Sequence, residues 1–206
     1  MGLLKVGITG GIGSGKSTVA GILSSMRMAV YNSDARARWI QENDPRLIDE
    51  ILKIFGPEAY LPGGKLNAKY IGGIVFGDPQ ALQKLNRTVH PALGQDFERW
   101  AAEHERNNDT PYLVQEAAIL IESGLYTAMD RIVVVVAPEE VRIARVVARD
   151  GSQPEEVQRR MRVQMSDAQK LEYADYVLVA DDRQMLTPQV VALHEELLRH
   201  TGKSSN

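Results

Sequence analysis

The sequence contains no cysteine among its 206 residues, which excludes disulfides, thiolate metal sites and cysteine nucleophiles. An excess of positive charge is also absent, because 24 Lys and Arg against 27 Asp and Glu give a net charge of −3. General nucleic-acid binders carry an excess of basic residues. No apolar run approaches the roughly 20 residues that cross a bilayer, and the first residues lack a signal-peptide layout. We therefore expect a cytoplasmic protein that contacts neither nucleic acid nor membrane.

The sequence does have the composition of a globular domain, with 44% hydrophobic and 25% charged residues, so disorder is not its main state. Short β-branched apolar runs alternate with helical stretches, which predicts a doubly wound α/β fold with a parallel five-stranded sheet. Continuous rather than alternating apolar residues indicate strands covered on both faces. The predicted strands are residues 5–9, 29–32, 112–116, 131–137 and 176–179.

Residues 34–111 interrupt this alternation, because they show helical patterns and no strand. Pairs such as Asp44-Pro45 and Gly56-Pro57 divide the stretch into several helices. Insertions after early strands of such sheets lie near the carboxyl edge, where ligands bind. We therefore predict an α/β core at 1–33 and 112–201, a helical insertion at 34–111 and a disordered tail at 202–206.

A phosphate-binding loop is predicted between the first strand and the following helix, where residues 10–17 match G-x-x-x-x-G-K-[ST]. Its glycines let backbone N–H groups approach phosphate oxygens. In such loops the lysine bridges the β- and γ-phosphates and the hydroxyl ligates Mg²⁺, so ATP and Mg²⁺ are the expected cofactors. The candidate nucleotide-binding residues are Gly11, Ile12, Gly13, Ser14, Gly15, Lys16, Ser17 and Thr18.

The sequence lacks the motifs that read guanine and the signature of ABC transporters, which leaves the small-molecule kinases. Four blocks then resemble the dephospho-CoA kinase family between residues 6 and 182. The third block is the most specific, because general nucleotide kinases lack it. The blocks are the phosphate loop, Asn32-Ser33-Asp34, residues 75–79 with 85–91, and residues 160–165 with Lys170 and 174–177.

The resemblance implies a phosphotransferase with an alcohol acceptor, which transfers the γ-phosphoryl group of ATP to the ribose 3′-hydroxyl of dephospho-CoA in the last step of coenzyme A synthesis. It also implies that residues 34–111 bind dephospho-CoA and that a mobile lid lies at about 145–170. Another nucleoside or nucleotide kinase and a non-catalytic ATP-binding regulator remain as alternatives. We expect a monomer or a small homo-oligomer.

Two carboxylates at the ends of predicted strands are candidates for catalysis and for metal binding. Asp34 follows the second strand, where a carboxylate can orient an acceptor hydroxyl and accept its proton, although a helix N-cap is the alternative. Glu116 ends the third strand and is expected to hold Mg²⁺ directly or through water, or else to be an ordinary strand-end carboxylate. Ser17 is the other expected metal ligand.

Three arginines recur at helical spacing after the fourth strand, namely Arg142, Arg145 and Arg149. The resemblance implies that Arg149 first, or Arg145, contacts the ATP phosphates. A solvated face is the alternative, and we expect Arg142 at the surface. His90 and Glu122 match family positions that imply substrate binding, but a buried histidine and a helix cap explain them equally well.

One departure from the family concerns the adenine site. The family's Asn-Asp-Gly after the fifth strand is Ala180-Asp181-Asp182 in this sequence. The adenine contacts of the family therefore do not transfer directly to these residues.

Overall fold

The computed structural model describes residues 2–75 and 77–201, so the predicted disordered tail at 202–206 and Phe76 of the third family block lie outside the described residues. Within the described residues no helix is both long and apolar enough to cross a membrane. The strands are β1 (Leu4–Thr9), β2 (Ala29–Asn32), β3 (Tyr112–Glu116), β4 (Arg131–Val136) and β5 (Tyr176–Val179). The helices are α1 (Lys16–Ser25), α2 (Ser33–Asn43), α3 (Pro45–Phe55), α4 (Ala68–Val75), α5 (Pro79–Asn107), α6 (Glu139–Asp150), α7 (Pro154–Arg162), α8 (Asp167–Leu171) and α9 (Leu186–Thr201).

The five strands form one parallel sheet in the order β2-β3-β1-β4-β5. This confirms the predicted doubly wound fold, and each strand begins and ends within one residue of its predicted bounds. Apolar side chains of the central strands are buried, including Val6, Ile8 and Val133. Helices α1 and α9 cover this side of the sheet with Leu23 and Leu197. Ile132 and Val134 of β4 belong to a second buried cluster with Leu120, because a parallel sheet must bury both faces.

The chain divides into two compact units. Ser33–Trp100 forms one unit, and the described residues before and after it form the other, which contains the sheet. The unit Ser33–Trp100 is built from helices. Asp44 is the N-cap of α3, because its carboxylate accepts hydrogen bonds from the N–H groups of Arg46 and Leu47. The boundary after Trp100 falls inside α5. The predicted roles, nucleotide binding by the α/β core and dephospho-CoA binding by the helical insertion, stay predictions.

Candidate active site

The phosphate loop runs from the end of β1 to the start of α1, and two of its glycines are required by their surroundings. Gly10 and Gly13 have φ of 151° and 77°, a region that residues with a Cβ rarely adopt. A Cβ at Gly13 would lie 2.5 Å from the carbonyl oxygen of Arg142, and one at Gly10 would collide with the carbonyl oxygen of Val135. The backbones of β4 and α6 therefore fix the shape of this loop.

Three consecutive carbonyl groups of the loop accept hydrogen bonds from cationic side chains. The bonds are Lys16 Nζ to Gly11 at 3.1 Å, Arg142 Nε to Ile12 at 3.1 Å and Arg145 Nη1 to Gly13 at 3.3 Å. Gathering three cations at one loop produces a positive potential that suits an anionic ligand. Of the other candidate loop residues, Ser14 is buried, Gly15 precedes α1 with φ of 99°, and Ser17 and Thr18 are exposed in the first turn of α1.

Ser17, Glu116 and Asn32 form a hydrogen-bonded line across the carboxyl edge of the sheet. Ser17 Oγ donates to Glu116 Oε1 at 2.8 Å, and Asn32 Nδ2 donates to Glu116 Oε2 at 2.8 Å. The parallel register creates this line, because both Ile8 and Asn32 stand opposite Glu116. The Glu116 residue is only 5% exposed, so its carboxylate is held in place by these two donors.

This donor set fits Mg²⁺, which prefers oxygen ligands and keeps several waters or phosphate oxygens in its coordination sphere. A hydroxyl and one carboxylate lie together at Ser17 and Glu116. No cluster of three or more histidine or acidic ligands occurs among the described residues. A hydroxyl with one carboxylate suits a cation that completes its coordination sphere with phosphate oxygens and water.

Asp34 and His90 belong to the helical unit. Asp34 lies in the first turn of α2, where a negative charge is favourable at a helix N-terminus, and it follows Asn32 by two residues. His90 lies half-buried on α5, and desolvation lowers the pKa of its imidazole below the ordinary value. The catalytic role of Asp34 and the substrate-binding role of His90 stay predictions.

The expectation that Arg142 lies at the surface is wrong. Arg142 is only 8% exposed, and its Nη1 donates to both carboxylate oxygens of Asp167 at 2.9 and 3.0 Å. The guanidinium occupies space that exists because Gly11 has no side chain, since a Cβ there would collide with it. Arg142 therefore joins the phosphate loop to the first turn of α8.

Arg145 and Arg149 have different surroundings. Arg145 Nη2 donates to Ala180 O at 2.8 Å and to Asp182 Oδ1 at 2.5 Å. The Arg149 side chain is 61% exposed and pairs with Asp150 at 2.6 Å. Hydrogen bonding from Arg149 lowers the pKa of Asp150 to about 2. Only Arg145 of these two arginines therefore has a bond to the phosphate loop among the described residues.

Asp182 explains how the departure from the family's Asn-Asp-Gly is accommodated. Its φ is 62°, the left-handed region that glycine adopts freely and that aspartate tolerates better than most residues. Its carboxylate receives the hydrogen bond from Arg145. The chain thus keeps a turn that glycine favours and adds an acceptor for an arginine.

Three contacts of the segment around α8 were not predicted from the sequence. Lys170 is fully buried, and its Nζ donates to Glu122 Oε1 at 2.5 Å. The same oxygen accepts the N–H of Met165 at 3.0 Å, so Glu122 anchors this segment, and its predicted substrate role stays untested. Gln164 Oε1 accepts the N–H of Ile12 at 2.9 Å. The only available signal was that Gln164 and Lys170 lie in the fourth family-like block.

Comparisons with known proteins agree with this geometry. A family model described as dephospho-CoA kinase matches residues 4–185. The dephospho-CoA kinase of Bacteroides fragilis is 38% identical over 190 residues, 92% of this chain and 91% of that protein. The enzyme of Chlorobaculum tepidum is 41% identical over 204 residues, 95% of each chain. The solved dephospho-CoA kinase of Campylobacter jejuni shares the fold, with a TM-score of 0.69 at 22% identity over 95% of this chain and 98% of that one.

Proposed function

The chain belongs to the dephospho-CoA kinase family, and from this premise we propose that it transfers the γ-phosphoryl group of ATP to the ribose 3′-hydroxyl of dephospho-CoA. The observation that carries the proposal is the line from Ser17 through Glu116 to Asn32. It joins the phosphate loop to the last residue of β2, two residues before Asp34.

The phosphate loop is the proposed ATP site, and kinases of this family use ATP. Backbone N–H groups of the loop at residues 11–18 would bind the phosphates, apart from that of Ile12, which donates to Gln164. Lys16 would neutralise charge on the β- and γ-phosphates. Ser17 and Glu116 would hold Mg²⁺, which when bound offsets the charge that develops on the transferring group. The pairing of Ser17 Oγ with Glu116 Oε1 supports this assignment.

In the proposed reaction the 3′-oxygen forms a bond to the γ-phosphorus while the bond from that phosphorus to the bridging oxygen breaks. The bonding electron pair leaves with ADP. The proton of the hydroxyl passes to the Asp34 carboxylate, which also orients the hydroxyl in a loose transition state. The position of Asp34 two residues after the end of β2 and the family resemblance support this role.

Arg145 and Arg149 are the proposed cations for the transferring phosphoryl group, because guanidinium groups stabilise charge spread over its oxygens. The hydrogen bond from Arg145 to Gly13 favours Arg145 as the first contact. Arg149 would have to exchange its pairing with Asp150 for a phosphate. His90 and Glu122 are proposed to bind dephospho-CoA, and the lowered pKa of His90 keeps that imidazole neutral near pH 7.

An assay of ADP release with alternative acceptors tests the function. Dephospho-CoA should raise ADP production far above adenosine or AMP, because the family resemblance implies that the helical unit binds dephospho-CoA. Equal rates with AMP would move the protein to the general nucleotide kinases. ATP binding without ADP release for any acceptor would favour the non-catalytic regulator.

A further inference from the structure

We propose that Gln164 is an additional contact for the transferring phosphoryl group, anchored to the phosphate loop through Oε1 and donating to a γ-phosphate oxygen through Nε2. The inference rests on the proposed function, because it requires ATP in the loop. It concerns a residue of the segment between α7 and α8, which the sequence analysis placed in the fourth family-like block and in the expected lid without a ligand.

The contact with Ile12 fixes the orientation of the Gln164 amide. The Ile12 N–H can only donate, so the atom that faces it at 2.9 Å must be the carbonyl oxygen Oε1. The NH₂ group is bonded to the same carbon and therefore lies beside the loop with two hydrogens to donate. Over the described part of the chain it has no hydrogen-bond partner. Arg142 holds the carbonyl of the same residue, Ile12, at 3.1 Å.

The neighbouring arginines differ from Gln164 in that each already has a carboxylate. Arg142 pairs with Asp167 at 2.9 Å, Arg145 with Asp182 at 2.5 Å and Arg149 with Asp150 at 2.6 Å. A phosphate oxygen would have to compete with these anions for an arginine. Gln164 supplies donors at the loop that no carboxylate has engaged, so a phosphate oxygen gains a full hydrogen bond there.

The backbone around Gln164 is fixed from both sides. The N–H of Gln164 donates to Met161 O at 3.1 Å, and the N–H of Met165 donates to Glu122. The next residue, Ser166, forms a capping box with Gln169 at the start of α8. A side chain whose backbone is held in this way is preorganised, and preorganised donors contribute most to transition-state stabilisation.

Gln164→Glu separates donation from anchoring, because a carboxylate still accepts the Ile12 N–H but has no hydrogens to donate. We expect kcat/KM for ATP to fall by ~10²–10³, the usual effect of losing one such donor. Affinity for a non-hydrolysable ATP analogue should fall by about 10- to 100-fold relative to ADP, because a hydrogen bond to a charged group has that value. Affinity for ADP itself should stay near that of the wild type, since ADP has no γ-phosphate.

Gln169→Glu is the matched control, since it adds the same charge to the same segment and glutamate serves equally well in a capping box. Its turnover should equal that of the wild type. Gln164→Ala also removes the donor, and we expect it to lose turnover, but less than Gln164→Glu because it adds no repulsive charge. Thermal unfolding confirms that each variant is folded.

An active Gln164→Glu enzyme beside an impaired Gln164→Ala enzyme would reduce Gln164 to a loop anchor and overturn the proposal. Wild-type activity in both variants would overturn it as well. The comparison of analogue with ADP needs no acceptor, so it judges Gln164 separately from the proposed function. Failure of the wild type to phosphorylate dephospho-CoA would instead contradict the proposed function.

Discussion

Replacing Arg142 by alanine tests the buried connection between the phosphate loop and α8. The substitution removes the ion pair in which Nη1 donates to both carboxylate oxygens of Asp167, and the hydrogen bond from Nε to the Ile12 carbonyl oxygen. The Asp167 carboxylate then loses its cationic partner, and the Ile12 carbonyl loses the hydrogen bond from Arg142. A residue at the surface, as the sequence pattern suggested, would have no such cost.

The magnitude follows from the surroundings of the pair. Removing one partner of a fully buried ion pair costs about 3–5 kcal/mol. The Asp167 side chain is 28% exposed, so water rehydrates part of the remaining carboxylate, and we reduce the loss in free energy of unfolding to about 2–3 kcal/mol. For a chain of this size that loss lowers the thermal midpoint by roughly 4–12 °C. The KM for ATP should rise too, because the Ile12 peptide loses a support.

Thermal and urea unfolding of Arg142→Ala would be measured beside Arg199→Ala, an exposed arginine that pairs with Glu196 on α9 and whose loss should cost less than about 0.5 kcal/mol. Adding Asp167→Ala to Arg142→Ala should recover part of the loss, because the double variant no longer carries the uncompensated carboxylate. Equal unfolding free energies for Arg142→Ala and Arg199→Ala would refute the reasoning.

Three further outcomes are expected. Asp34→Asn should lower turnover by roughly 10²–10⁴ with ATP affinity nearly unchanged, whereas an active Asp34→Asn enzyme and an unstable Asp34→Ala enzyme would show a helix-capping role. Glu116→Gln should raise the Mg²⁺ concentration for half-maximal rate about 10- to 100-fold, and an unchanged Mg²⁺ titration would remove Glu116 from the metal site. Because burial lowers the pKa of His90, its contribution to stability is complete above about pH 6.5 and declines as the pH falls below it. The thermal midpoint of His90→Gln should therefore fall less than that of the wild type when the pH is lowered from 7.5 to 5.5. An equal fall in both proteins would contradict this.

The sequence by itself determined the strands and the phosphate loop, because both depend on local patterns. Buried parallel strands are continuous apolar runs, so the strand at residues 131–136 could be located without its neighbours. The loop is contiguous in sequence, and its glycines occur where positive φ is required. Family resemblance added the expected chemistry, and the matching family model agrees with it.

The tertiary structure alone decided the contacts between side chains that lie far apart along the chain. Helical spacing placed Arg142 on a face but could not show that Gly11 leaves room for its guanidinium. The pattern around residues 160–165 could not show that Gln164 reaches the Ile12 amide. Strand order and register brought Glu116 beside Ser17 and Asn32. Such contacts depend on how distant strands align and helices pack, and a local pattern carries no information about either.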